Sequence, residues 1–276
     1  MGAMGLSVLY APLLCLCLGA CIGWVLALTG AGGGALSIPI LVFGLHLSVQ
    51  QAAPVGLAAI FVASLAGTVL GLRQRLVGYR AAAFMGAIGM LAAPFGMILA
   101  NNLPNRPLLV VFACVLCGIA LRTMQRAVPR APMVGDAPCV VNPLDQRLTF
   151  NRPCVCVLAG TGLLSGLLSG LLGVGGGFVT VPALSAYTHL TVHSIHATSL
   201  AIMMLISLSG VVSAVWHHTM VWDIALPFAG GAALAMLAGK RVVDKMDAAR
   251  LKHAFAWLCV GVALLMLLRA AGLFAG

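Results

Sequence analysis

Glutamate is absent from this chain, and the acidic residues are five aspartates: Asp136, Asp145, Asp223, Asp244 and Asp247. Charged residues of both signs make up only 7% of the 276, against about 25% in soluble domains. Too little polar surface remains to wrap a water-soluble body of this size. An ordinary cytosolic enzyme, a nucleic-acid binder and a disordered protein are therefore excluded together. Period-two alternation is missing as well, which excludes a membrane β-barrel. What is present is 62% hydrophobic residues in continuous runs rich in Leu, Ala and Gly. Such runs form helices in lipid, where every backbone polar group must be bonded internally. A crossing of the ~30 Å hydrocarbon core takes about 20 residues, so the composition predicts an all-α, multi-span integral membrane protein.

The net charge of +10 comes from 15 Lys and Arg set in short loops between apolar runs. In that setting they orient a membrane protein, so the partner they imply is the lipid bilayer and not nucleic acid. The nine cysteines (15, 17, 21, 114, 117, 139, 154, 156 and 259) are odd in number. All but Cys139 lie in or beside apolar runs, which argues against a disulfide framework. No basic residue precedes the first apolar run, so the N-terminus does not read as a cleaved signal peptide.

Sliding the sequence against itself reveals a repeat at an offset of 143. Gly30-Ala-Gly-Gly-Gly-Ala-Leu-Ser-Ile-Pro39 falls on Gly173-Val-Gly-Gly-Gly-Phe-Val-Thr-Val-Pro182, and 25 of the 92 positions from Gly30 to Leu121 are identical without a gap. A chain this skewed in composition would give roughly nine or ten by chance, so the repeat is genuine. The chain divides into an N-terminal transmembrane repeat (1–121), a polar Pro- and Arg-containing linker (122–153) and a C-terminal transmembrane repeat (154–276). Each repeat holds five apolar segments: 4–28, 35–45, 52–72, 80–100 and 107–121, then 154–172, 177–187, 194–216, 223–239 and 253–271. The second of each set has only about 11 residues, or roughly 16 Å of helix, half a bilayer. It also contains a proline and follows a glycine cluster, which predicts a broken or half-spanning helix.

Equivalent loops carry unequal charge. Loop 73–80 has three Arg and its counterpart 216–223 has no Lys or Arg, while loop 100–107 has one Arg and its counterpart 240–252 has five basic residues. Parallel copies would show similar charge at equivalent loops, so the bias predicts inverted repeats of about five helical segments each. If every segment changes the side of the chain, thirteen of the fifteen basic residues share one face with the linker. That face is expected to be cytoplasmic, with both termini on the other.

The glycine clusters are the most specific chemical feature. Gly32, Gly33 and Gly34, and again Gly175, Gly176 and Gly177, end one apolar run and start a short one. A half-helix N-terminus presents free N–H groups and the positive end of its dipole, which suits an anion. Two such ends from related repeats can converge near the midplane. Ser37 and its equivalent Thr180 stand one turn into the short helices, and Thr198 and Ser199 open a long one. These hydroxyls could donate to an oxyanion or bond back to their own helix. His196 stands beside them as a candidate anion or proton contact. His189, His193 and His196 have metal-ligand spacing, yet no nearby Asp, Glu or Cys completes a site, so no metal or cofactor is expected. His217 and His218 lie in an uncharged loop, and Trp216, Trp222 and Tyr79 suit the aromatic belt of an interface. Gly162, Gly166 and Gly170 form a small-xxx-small stripe, as do Gly67 and Gly71, for packing within the chain or within a homo-oligomer.

The paired G-x-G-G-G-x-x-x-x-P segments and the His196-Ala-Thr198-Ser199-Leu200 start resemble the TauE/SafE sulfite exporter family, also called the toluene sulfonate uptake permease family. The resemblance covers nearly the whole chain. It implies a bacterial inner-membrane transporter of small sulfur-containing anions such as sulfite, sulfonates, sulfoacetate or thiosulfate, and not an enzyme. The first repeat departs from the family pattern, with Ala53-Pro54-Val55-Gly56-Leu57 where hydroxyls would stand. Alternating access with export of sulfite or a small organosulfonate is the expectation. Import of thiosulfate, a sulfonate or another small anion, and a membrane redox or sulfur enzyme using Cys114 and Cys117, stand as alternatives.

Overall fold

A computed structural model describes residues 2–30, 33–45, 47–125, 139, 151–188, 190–243 and 260–266. Its helices are α1 (Gly2–Thr29), α2 (Gly33–Gly44), α3 (Val49–Arg73), α4 (Tyr79–Asn102), α5 (Asn105–Gln125), α6 (Arg152–Leu172), α7 (Gly177–Tyr187), α8 (Val192–Trp216) and α9 (Trp222–Val243). A further helical stretch covers 260–266. Among the described residues, six helices are long and apolar enough to cross a bilayer: α1, α3, α4, α6, α8 and α9. The chain is an all-α integral membrane protein.

Local signals recur at the repeat offset. Ser48 caps α3 in a full capping box with Gln51, and Thr191, 143 residues on, caps α8 by accepting the Ser194 N–H. The short helices each contain one proline, Pro39 and Pro182. Gly30 and Gly173, at equivalent positions after α1 and α6, take the same left-handed backbone, with φ of 68° and 67°. Only glycine adopts that conformation without a steric cost, so both long helices stop there.

Lipid offers helices no hydrophobic drive toward one another, so close backbone approach must hold them. Glycines supply it. On α6, Gly162, Gly166 and Gly170 lie against the backbones of Met85, Gly89 and Ala93 of α4. On α1, Gly19 and Gly23 lie against Phe228 and Ala232 of α9. The α6 stripe is thus used inside the chain, as are Gly67 and Gly71 of α3, which face Leu200 and Ala197 of α8. Outward, Leu91 and Phe95 are 72% and 68% exposed, as a lipid-facing surface requires. Tyr79, Trp216 and Trp222 are exposed at helix ends, where an interfacial belt lies.

These contacts set directions. Numbers rise together along α1 and α9 and along α4 and α6, whereas α3 and α8 pair in opposition, Leu57 with Gly210 and Gly71 with Ala197. Numbers also rise together along α4 and α8 (Gly86 with Leu205, Met90 with Ser209). Hence α1, α3 and α9 run one way and α4, α6 and α8 the other. Because α1 and α3 share a direction, α2 carries the chain back between them, and α7 does so between α6 and α8. At one end, Ser194 Oγ donates to Leu76 O and the Gly78 N–H donates to Thr198 Oγ1, tying loop 74–78 to the start of α8. At the other end, Gln50 Nε2 donates to Leu103 O, tying the start of α3 to the α4–α5 turn.

One cysteine expectation is corrected. Cys139 and Cys154 form a disulfide, and both are fully buried. Cys139 also makes an isolated parallel bridge with Thr188 at the end of α7. An odd count and apolar surroundings speak about cysteines in bulk. They carry no information on which distant cysteine Cys154 at the start of α6 will meet. Six other described cysteines are free, Cys114 and Cys117 among them. Cys259 lies outside the described residues.

Candidate functional site

The two glycine breaks meet inside the bundle. A Cβ on Gly34 would strike the carbonyl of Val174 and stand 3.1 Å from Ile60 Cδ1. One on Gly175 would stand 2.6 Å from Ile60 Cγ2 and 3.2 Å from Ser207 Oγ. Gly56 is similarly tight, with Ser37 Oγ and the Gly173 carbonyl both within 3.1 Å of its missing Cβ. Ile60 and Ser207 are mid-helix residues of α3 and α8, so the junction lies at mid-depth. The equivalence extends outward: Gly30 packs on the His196 ring and Gly173 on Ala53, the residue equivalent to His196 in the first repeat.

Of the expected hydroxyls, Ser37 reaches this junction and Ser199 reaches Gly30, whereas Thr198 stands at the loop 74–78 end of α8, and each already has a partner. Ser37 Oγ donates to Gly34 O at 2.7 Å and Thr180 Oγ1 to Gly177 O at 3.1 Å, each binding back one turn into its own short helix. Thr198 Oγ1 accepts from the Gly78 N–H at 2.9 Å, which leaves its own proton to donate. Ser199 Oγ reaches His196 O at 3.0 Å and Gly30 O at 3.4 Å. His196 is half-buried. Gly33, Gly34, Gly175, Gly176 and Gly177 are buried at the breaks. Gly32, His46 and His189 lie outside the described residues.

The start of α7 is the better-defined half. Gly175 and Gly176 both have φ of 73°, and Gly176 is the N-cap. Its carbonyl accepts the N–H groups of Val179 and Thr180 and the hydroxyl of Ser165. The N–H groups of Gly177 and Phe178 precede those first helical bonds and point out of the helix start. Every charged residue within a described helix lies at or near a helix end: Arg73, Arg80, Arg106, Arg122, Arg152, Asp223, Lys240 and Arg241. An anion at mid-depth would therefore be met by dipoles and hydroxyls.

A model of the family described as sulfite exporter TauE/SafE matches residues 15–266. The chain belongs to the TauE/SafE sulfite exporter family. A probable membrane transporter protein of Xylella fastidiosa strain 9a5c is 26% identical over 255 residues, covering 91% of this chain and 93% of the relative. One from strain Temecula1 is 25% identical over 259 residues with the same coverage, and a probable membrane transporter protein of Methanocaldococcus jannaschii is 25% identical over 214 residues, covering 75% and 73%. No solved structure matches the chain. This TauE/SafE member is accordingly a multi-pass membrane transporter.

Residues that the sequence did not single out also stand at the junction. Ser165 holds the Gly176 carbonyl, Ile60 fills the space between the breaks, and Ser207 borders Gly175. Ser207 is visible in the sequence only as the repeat partner of Ser64. Periodicity cannot say which of two equivalent serines keeps its proton free.

Proposed function

We propose that this transporter exports sulfite or a small organosulfonate by alternating access, binding the anion where the two glycine breaks meet. Gly32, Gly33, Gly34, Gly175, Gly176 and Gly177 would offer backbone N–H groups, and Ser37, Thr180, His196, Thr198 and Ser199 would line the site. The observation that carries the reading is the meeting of two half-helix starts at mid-depth, away from any described charged side chain. Family membership supports a sulfur oxyanion as substrate. The opposite directions of α1 and α6, of α3 and α8, and of α4 and α9 support an inverted five-plus-five relation, with one repeat rocking against the other.

The face bearing loop 73–80, the linker and loop 240–252 would be cytoplasmic in a bacterial inner membrane, because it holds thirteen of the fifteen basic residues. The Cys139–Cys154 disulfide pulls the other way, since cytosolic disulfides are rare. Charge bias acts during insertion on the whole topology, so it outweighs one cysteine pair, which would then be reduced in growing cells. Because both sulfurs are buried, alkylation in denaturant after an acid quench of intact cells is expected to label both thiols; a persistent disulfide would reverse the orientation.

Export needs no titrating carboxylate. One negative charge moving outward gains ~2.3 kcal/mol per 100 mV, inside negative. The deciding experiment is flux in proteoliposomes with sulfite, sulfoacetate, thiosulfate and acetate, under an imposed voltage or an imposed pH gradient. Sulfite or sulfoacetate flux that follows voltage is expected. Flux that follows pH and ignores voltage would overturn the voltage drive, and carriage of acetate alone would overturn the substrate class.

A further inference from the structure

Ser and Thr side chains inside membrane helices ordinarily return their proton to a carbonyl one turn back. Most here do so, including Ser64 of α3, which donates to Phe61 O at 3.1 Å. Its repeat equivalent, Ser207 of α8, does not. Ser207 is fully buried, and its Oγ has no hydrogen-bond partner. A buried hydroxyl without a partner forfeits its hydration and gains nothing in return, so such groups are rare and call for an explanation. Its position supplies one: Ser207 Oγ lies 3.2 Å from where a Cβ of Gly175 would stand, at the start of α7. Ile60 Cγ2 is 2.6 Å from that same point.

We propose that Ser207 is a direct ligand of the transported oxyanion at the start of α7, and that Ile60 occupies the anion's place in the conformation seen here. The proposal rests on the transport reading given above and adds two residues to it. An oxyanion there would accept the Ser207 proton and the N–H groups of Gly177 and Phe178, in the space that the Ile60 side chain takes beside Gly175. Ile60 fills that space with methyl groups and also approaches Gly34 through Cδ1. Its withdrawal would couple anion arrival at the second break to movement of α3, the partner of α8 across the centre of the bundle.

The test uses purified full-length protein in proteoliposomes, with sulfite and sulfoacetate as probes. Ser207→Ala is expected to raise KM roughly ten-fold or more with the maximal rate nearly kept, the usual cost of losing a hydrogen bond to a charged group. Its thermal stability in detergent without anion should equal or exceed the wild type, because the variant removes an unsatisfied hydroxyl. A purely structural serine would show the opposite pattern, with lower stability and unchanged KM. Ser64→Ala, the matched control, should leave KM unchanged. Ile60→Ala should raise the sulfoacetate-to-sulfite rate ratio several-fold, and an unchanged ratio would overturn the role given to Ile60. If the wild type carries sulfite or sulfoacetate while Ser207→Ala keeps its KM, this inference falls alone. If the wild type carries neither, the substrate reading falls, and it falls independently of the Ser207 variants.

Discussion

The two glycine breaks share the turn that stops the long helix and differ in chemistry. Gly30 and Gly173 stop their helices with the same left-handed turn, and both short helices open beside the same centre. His196 and Ser199 of α8 stand against Gly30 at the first break; Ala53 and Gly56, their equivalents on α3, stand against Gly173 at the second. Ser64 bonds back to its helix while Ser207 keeps its hydroxyl unpaired. The comparison teaches that the repeat preserves a frame, in which glycine is required at fixed points, while the polar side chains that face the two breaks are concentrated on α8.

That comparison can be broken most severely at Gly176. Its φ of 73° and its contact with Ser165 leave no room for a side chain. Gly176→Leu should abolish anion flux in proteoliposomes while the protein still inserts; retained flux would remove the second break from the mechanism. Next come the packing glycines, where the halves should behave alike. Gly23→Ala against α9 and Gly166→Ala against α4 each drive a Cβ into a facing backbone, and each should cost about 1–3 kcal/mol in unfolding measurements. Gly118→Ala, which has nothing within 4 Å, should be neutral. A large difference between Gly23 and Gly166 would show that the frame is not equally shared.

Smaller effects sharpen the chemical difference. Thr198→Val places on α8 the residue that α3 carries as Val55, and strands the Gly78 N–H that Thr198 now accepts. A loss of about 1–2 kcal/mol is expected, measured as thermal stability. His196→Ala reproduces Ala53 of the first repeat. It should lower the sulfite rate by a few-fold without abolishing it; full abolition would make His196 indispensable and not merely part of the lining.

Much of this was legible in the sequence because lipid imposes strict rules. Ten apolar segments, their lengths, the two short ones and the repeat follow from hydropathy, glycine and proline, and the described helices coincide with those segments. Loop charge predicted inverted copies, whereas helix directions come from contacts such as Gly71 with Ala197. The hydroxyls were legible as candidates but not as donors. Ser37 and Thr180 can turn their protons either inward or back one helical turn, and only the fold shows which.

The sequence by itself determined that this chain lives in a membrane, is built twice over, and breaks a helix at Gly30–Gly34 and Gly173–Gly177. Those properties are local or periodic, set by transfer energy and backbone sterics. Tertiary structure decided that the two breaks touch, that Ile60 stands between them, that Ser207 is unpaired, and that Cys139 reaches Cys154. Each depends on contacts between residues far apart in the chain, and no composition or spacing encodes which partner a side chain will meet.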